Sequence, residues 1–115
     1  MNVKIYHNPR CSKSRNTLAI LDEKGVSYDV IKYLDTPPNK AEIKEILDEL
    51  GIPARELLRK GETKYKELNL NNESLSEDEI VDAMVNHPIL IERPIVITEK
   101  GAIIGRPPES ILKII

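Results

Sequence analysis

The stretch that decides the fold is NVKIYHNPRCSKSRNTLAILDEKGVSYDVIKY, residues 2 to 33. Asn2 to Tyr6 reads as a short buried strand, stopped by the Asn8-Pro9 turn signal. Ser12 or Ser14 then offers a cap for a helix that carries Leu18, Ala19, Ile20 and Leu21 and runs to about Lys24, where Gly25 supplies a stop. Ser27 to Tyr33, with Tyr28, Val30 and Ile31, is a second strand. Strand, helix and strand within roughly thirty residues make a βαβ unit, and its crossover leaves the two strands parallel.

The chain beyond it changes character twice. Thr36-Pro37-Pro38 is a break, and Asn39 with Glu42 forms a capping box for a helix that puts Ile43, Ile46, Leu47 and Leu50 on one face and ends at Gly51. Residues 53 to 72 read as short helical pieces around Leu57-Leu58 and Tyr65 to Leu70. A second capping box, Ser76 with Glu79, opens a helix through Ile80, Val81, Met84 and Val85. Pro94 to Thr98 is then a β-branched strand, Lys100-Gly101 a tight turn and Ala102 to Gly105 a partner strand, which together make a hairpin. Pro107-Pro108 starts a last helix with Ile111, Leu112, Ile114 and Ile115 facing inward. The order is βαβ, a helical middle, then ββα: an α/β protein with a four-stranded mixed sheet flanked by helices.

Composition narrows the function classes. At 115 residues of uniform character the chain is expected to be a single domain, residues 1 to 115. A net charge of −2 with interleaved signs, no Phe, no Trp and only four Tyr leaves neither a basic patch nor a stacking platform for nucleic acid. No apolar run is long enough to span a membrane, and the N-terminus lacks the features of a signal peptide. A single cysteine forms no internal disulfide, and no Cys/His cluster has zinc spacing. The expectation is a cytoplasmic protein with no metal and no membrane contact.

Chemistry concentrates in HNPRCSKSR, residues 7 to 15. A thiol attacks only as thiolate, and a cysteine where a helix begins meets unpaired N–H groups and the positive end of the helix dipole. Arg10, Lys13 and Arg15 add nearby charge. A lone cysteine is more often buried and inert, but so polar and basic a surround favours a reactive Cys11, and the same surround suits a bound oxyanion. Arg59, Arg93 and Arg106 are further candidates. The last two precede prolines, which force extended backbone at those positions, and guanidinium groups bind tetrahedral oxyanions through paired hydrogen bonds. Any one of them alone reads equally as a surface cation, Arg59 beside Lys60 most of all. His7 could orient a group near Cys11, act as a base or cap a strand end; His87 before Pro88 reads as a turn residue. Pro94, opening a strand near the thiol, is a candidate cis-proline.

HNPRCSKSRNTL (7–18), YLDTPP (33–38), ARELLRKGETKYKELNL (54–70), HPILIERPIVIT (87–98) and GRPPE (105–109) resemble the glutaredoxin-coupled arsenate reductases over essentially the whole chain. The resemblance implies a thioredoxin-like fold with a helical insertion between the βαβ and ββα parts. It implies Cys11 as nucleophile, with His7 near it and Arg15 in the following helical turn. Arg59, Arg93 and Arg106 become the oxyanion-binding arginines and Pro94 the cis-proline opposite the thiol. Arsenate would be the substrate, glutathione the co-substrate and glutaredoxin the protein partner, with no bound cofactor. Two other readings share the fold. A glutathione-dependent thiol reductase of other substrate would use Cys11 similarly, without needing three arginines. An Spx-type regulator binding RNA polymerase would need a Cys-x-x-Cys switch, and the position three after Cys11 is Ser14.

Overall fold

The computed structural model describes residues 2–115. In it β1 (Lys4–His7) and β2 (Asp29–Lys32) pair in parallel across α1 (Ser12–Glu23), with Ile5 opposite Val30. β3 (Ile95–Thr98) joins the other side of β1 antiparallel, with Ile5 opposite Val96, and β4 (Gly101–Ile104) pairs antiparallel with β3. The sheet order is therefore β2-β1-β3-β4, the four-stranded mixed sheet expected from the sequence. Between β2 and β3 lie α2 (Lys40–Leu50), the short α3 (Ala54–Leu57) and α4 (Thr63–Glu67), α5 (Glu77–Asn86) and a 3₁₀ turn at Pro88–Leu90.

The chain forms two compact units. The sheet unit comprises the residues up to Thr36 and from Arg93 onward; its core joins Val3, Ile5 and Val96 of the strand layer to Leu21 of α1 and to Ile111 and Ile114. The helical unit, Pro37–Glu92, packs α2 against α5 and buries Ile43, Ile46 and Leu47 of the former with Ile80, Val81 and Met84 of the latter. Both capping boxes form: Asn39 Oδ1 accepts from Glu42 N at 2.8 Å and Ser76 Oγ from Glu79 N at 3.1 Å, each with the reciprocal bond. Gly51 ends α2 in the left-handed conformation, φ 69°. No helix among the described residues is long and apolar enough to cross a membrane.

Four local expectations are corrected. Neither Ser12 nor Ser14 caps α1; Cys11 itself occupies the N-cap, Ser12 is the first helical residue and Ser14 is buried one turn in. The packed face of α1 runs through Ser14, Thr17 and Leu21 at helical spacing, so Ala19 stays exposed. The hairpin tip is Glu99-Lys100, because Gly101 already pairs with Thr98. The last helix, Pro108–Lys113, is 3₁₀ in form. With three residues per turn, Pro108, Ile111 and Ile114 share the inner face, and Leu112 is left 45% exposed. Thr98 Oγ1 donates to Ile114 O at 2.9 Å and ties this segment to β3.

The capping boxes satisfy backbone N–H groups that the first helical turns of α2 and α5 leave without intrahelical partners. Asn39→Ala is expected to lower the unfolding free energy by about 1 kcal/mol in a urea titration. An unchanged midpoint would show that the box contributes nothing to α2.

Candidate functional site

Strand register brings the chemistry to one edge of the sheet. β1 is central, and its last residues, Tyr6 and His7, face Ile31 and Lys32 on β2, while Tyr6 also faces Ile95 at the start of β3. Ile95 in turn faces Ile104 at the end of β4, and one step further Gly105 N donates to Pro94 O at 2.9 Å. The end of β1, the start of β3 and the end of β4 thus meet, and the loop into α1 leaves from the same place. Arg93 lies just before β3 and Arg106 just after β4, 13 residues apart in sequence and joined by a 3.0 Å bond from Arg106 Nη1 to Arg93 O. The Arg93–Pro94 bond is cis, and so is Arg106–Pro107, which nothing in the sequence had singled out.

The loop that carries the thiol is shaped by Asn8, a buried residue not among the sequence candidates. Its side-chain oxygen accepts from Arg10 N at 3.0 Å, its carbonyl accepts from Cys11 N at 3.0 Å, and its own N–H points at Ser14 Oγ at 3.4 Å. These bonds make the chain turn tightly before α1. Cys11 then takes the extended N-cap conformation (φ −92°, ψ 122°), and its carbonyl accepts from Arg15 N at 3.1 Å. The sequence signal was the Asn-Pro pair, a residue type that bonds its own neighbouring backbone in turns.

Cys11 is half-buried, and Arg106 Nη1 lies 3.8 Å from its sulfur. Burial by itself pushes the thiol pKa up. The backbone N–H groups of Ser14 and Lys13, followed by the guanidinium groups of Arg93 and Arg106, outweigh it and bring the pKa down from 9.0 to about 7. The lowering groups are thus helix N–H donors and two arginines distant in sequence. Arg15, a neighbour in sequence, instead folds back to donate to Pro9 O at 3.0 Å.

His7 is buried, and burial is the main reason its pKa falls below 6.5, with Lys32 and Arg15 adding to the effect. The imidazole is therefore neutral at pH 7. Its Nδ1 has no hydrogen-bond partner among the described residues. A cavity of about 350 Å³ opens beside the thiol loop, lined by His7, Asn8, Pro9, Arg10, Lys32, Leu34 and Asp35. Arg59 belongs to the helical unit, where its Nε pairs with Glu62 at 3.1 Å and its Nη1 lies 3.8 Å from Glu92. The sheet unit accordingly assembles Cys11, His7, Arg15, Pro94, Arg93 and Arg106 from three separate stretches of chain, and Arg59 is described with the other unit.

The thiol chemistry follows directly. The rate of Cys11 alkylation by iodoacetamide should rise with pH around a midpoint near 7, the value its surroundings set. Because the pKa is lower in the folded state than in the unfolded one, the thiolate adds stability that is fully present above pH about 9 and is lost as pH falls through about 7. Cys11→Ser should remove that pH dependence, and an alkylation midpoint above pH 8.5 would contradict the site as described.

Comparison with known proteins places the chain in a family. The model of the ArsC family matches residues 6–114. The chain is 55% identical over 114 residues to the uncharacterized protein YfgD of Escherichia coli (strain K12), covering 98% of this chain and 96% of that one. It is 49% identical over 110 residues to an arsenate reductase of Neisseria meningitidis serogroup A, covering 95% of this chain and 94% of the relative. Its structure superposes on an arsenate reductase from Vibrio cholerae with a TM-score of 0.97 at 51% identity, over 100% of this chain and 98% of the other. The chain belongs to the ArsC family and has its thioredoxin-like fold.

Proposed function

We propose that this protein reduces arsenate to arsenite with Cys11 as nucleophile, glutathione as reductant and glutaredoxin as the protein that regenerates the thiol. The observation that carries the reading is Cys11 held at a helix N-terminus with Arg93 and Arg106 beside its sulfur. The donors that favour a thiolate are the same kind that hold an oxyanion next to it. Names of relatives at 49% identity point to arsenate as that oxyanion.

In the proposed sequence, Cys11 thiolate bonds to arsenic and one arsenate oxygen leaves as water after protonation. Arg93 and Arg106 neutralise the charge that gathers on the remaining oxygens. Glutathione thiolate then forms a disulfide with Cys11 sulfur. The electron pair of the sulfur–arsenic bond stays on arsenic, which departs as arsenite. The chain has no second cysteine, so no internal disulfide can supply these two electrons, and the mixed disulfide must be cleared by an outside thiol. The cavity beside the loop supports glutathione in this role. Arg10 and Lys32 on its wall suit carboxylates, and Asp35 suits the ammonium group of the same zwitterionic tripeptide. Arg59 is proposed as a third oxyanion ligand on the family resemblance.

The test is arsenate reduction with glutathione and glutaredoxin. Cys11→Ser should be inactive, and Arg93→Ala, Arg106→Ala and Arg59→Ala should each lose about a hundredfold or more in rate while remaining folded. Wild-type kinetics from one of them removes that arginine from the site. Enzyme stopped after one turnover without glutaredoxin should carry glutathione on Cys11 by mass spectrometry. Sustained turnover with thioredoxin alone, with no such adduct, would overturn the proposed route.

A further inference from the structure

Three elements of the sheet unit meet at Gly105. It follows β4, is buried and donates its N–H to Pro94 O at 2.9 Å. A Cβ at this position would lie 2.8 Å from Pro94 Cγ and 2.8 Å from Thr17 Oγ1, closer than real Cβ contacts come, so one of the three elements would have to shift. Neither neighbour yields cheaply. Pro94 is buried, and its Cγ belongs to a ring closed onto the backbone. Thr17 is fully buried, and its hydroxyl donates to Lys13 O at 2.8 Å one turn earlier in α1; swinging it away breaks that bond. A Cβ at Gly25, Gly51, Gly61 or Gly101 would meet nothing within 4 Å, so this crowding is particular to Gly105.

The next residue is Arg106, whose guanidinium touches both Cys11 Sγ at 3.8 Å and Arg93 O at 3.0 Å. The other side of the contact, Thr17, sits on the helix whose N-cap is Cys11. We propose that Gly105 is a positioning residue of the thiol site: its lack of a side chain seats the end of β4 between Pro94 and Thr17, and this seat places Arg106 against Cys11. The proposal rests on Cys11 acting as a thiolate nucleophile and is independent of which oxyanion it attacks. A methyl group at this position pushes the end of β4 away from α1 and carries Arg106 off the sulfur.

The experiment measures alkylation rate against pH and arsenate reduction in Gly105→Ala, Arg106→Ala and the double variant. Gly105→Ala should move the thiol midpoint upward and lower kcat by about tenfold or more, since small misplacements of a catalytic group cost that much. Its circular dichroism should remain that of the wild type. In the Arg106→Ala background the same change should add little, because the group it positions is gone. Ile111→Val, which thins the core of the same unit, should lower Tm and leave the midpoint unmoved. If Gly105→Ala does not fold, Thr17→Ile crowds the same seat from α1 and should raise the midpoint in the same direction. An unmoved midpoint, or full additivity with Arg106→Ala, overturns the positioning role. An ordinary midpoint in the wild-type protein would instead overturn the nucleophile reading on which it rests.

Discussion

The thiol of Cys11 is brought down to titrate near neutral pH by an unequal contest between burial, which disfavours the thiolate, and four donors, which favour it. Two are the N–H groups of Lys13 and Ser14 in the first turn of α1, and two are the guanidinium groups of Arg93 and Arg106. The Asn8 turn, the strand register and the Arg106–Arg93 bond bring these donors to one point. Asn8 turns the chain so that Cys11 falls at the N-cap, where the helix N–H groups have no partners of their own. The chemistry asked of the site makes the same demand, since an anion bound beside the sulfur needs donors that the folded chain has not already consumed.

The arginines reach the thiol through sheet topology. Placing β1 between a parallel and an antiparallel neighbour lets the N-terminal end of β3 lie beside the C-terminal end of β1. The hairpin then returns β4 to the same edge, so residues flanking the two strands become neighbours across the site. Arg106 is held by the carbonyl of Arg93, so one guanidinium is braced by the residue carrying the other. Such bracing restricts where a flexible cation can go.

Where local chemistry decides structure, the sequence was readable. The two capping boxes, the βαβ unit and the β-branched hairpin all have short-range signatures, and all are present. Cys11 stood out as a candidate because its neighbours are polar and basic. Three of the misses share a cause as well: contacts beyond the immediate sequence settle them. Arg10, Lys13 and Arg15 seemed the natural source of charge for the thiol, yet the guanidiniums that lower its pKa belong to Arg93 and Arg106, and Arg15 is turned to Pro9 O. The 3₁₀ form of the last helix follows from packing Pro108, Ile111 and Ile114 at a spacing of three, which an apolar count over 111 to 115 does not distinguish from an α-helix. The sequence reads Gly105 only as the last residue of a strand, and the approach of Thr17 and Pro94 shows why a side chain is excluded there.

The central claim is that one set of donors serves both the thiolate and an oxyanion held beside it. Protection of Cys11 from alkylation by added arsenate, measured at pH 7 without any reductant, tests this most directly. The account predicts saturable protection in the wild type and its loss in Arg93→Ala and Arg106→Ala. An alkylation rate indifferent to arsenate at every concentration, in a protein whose thiol titrates near 7, would contradict it.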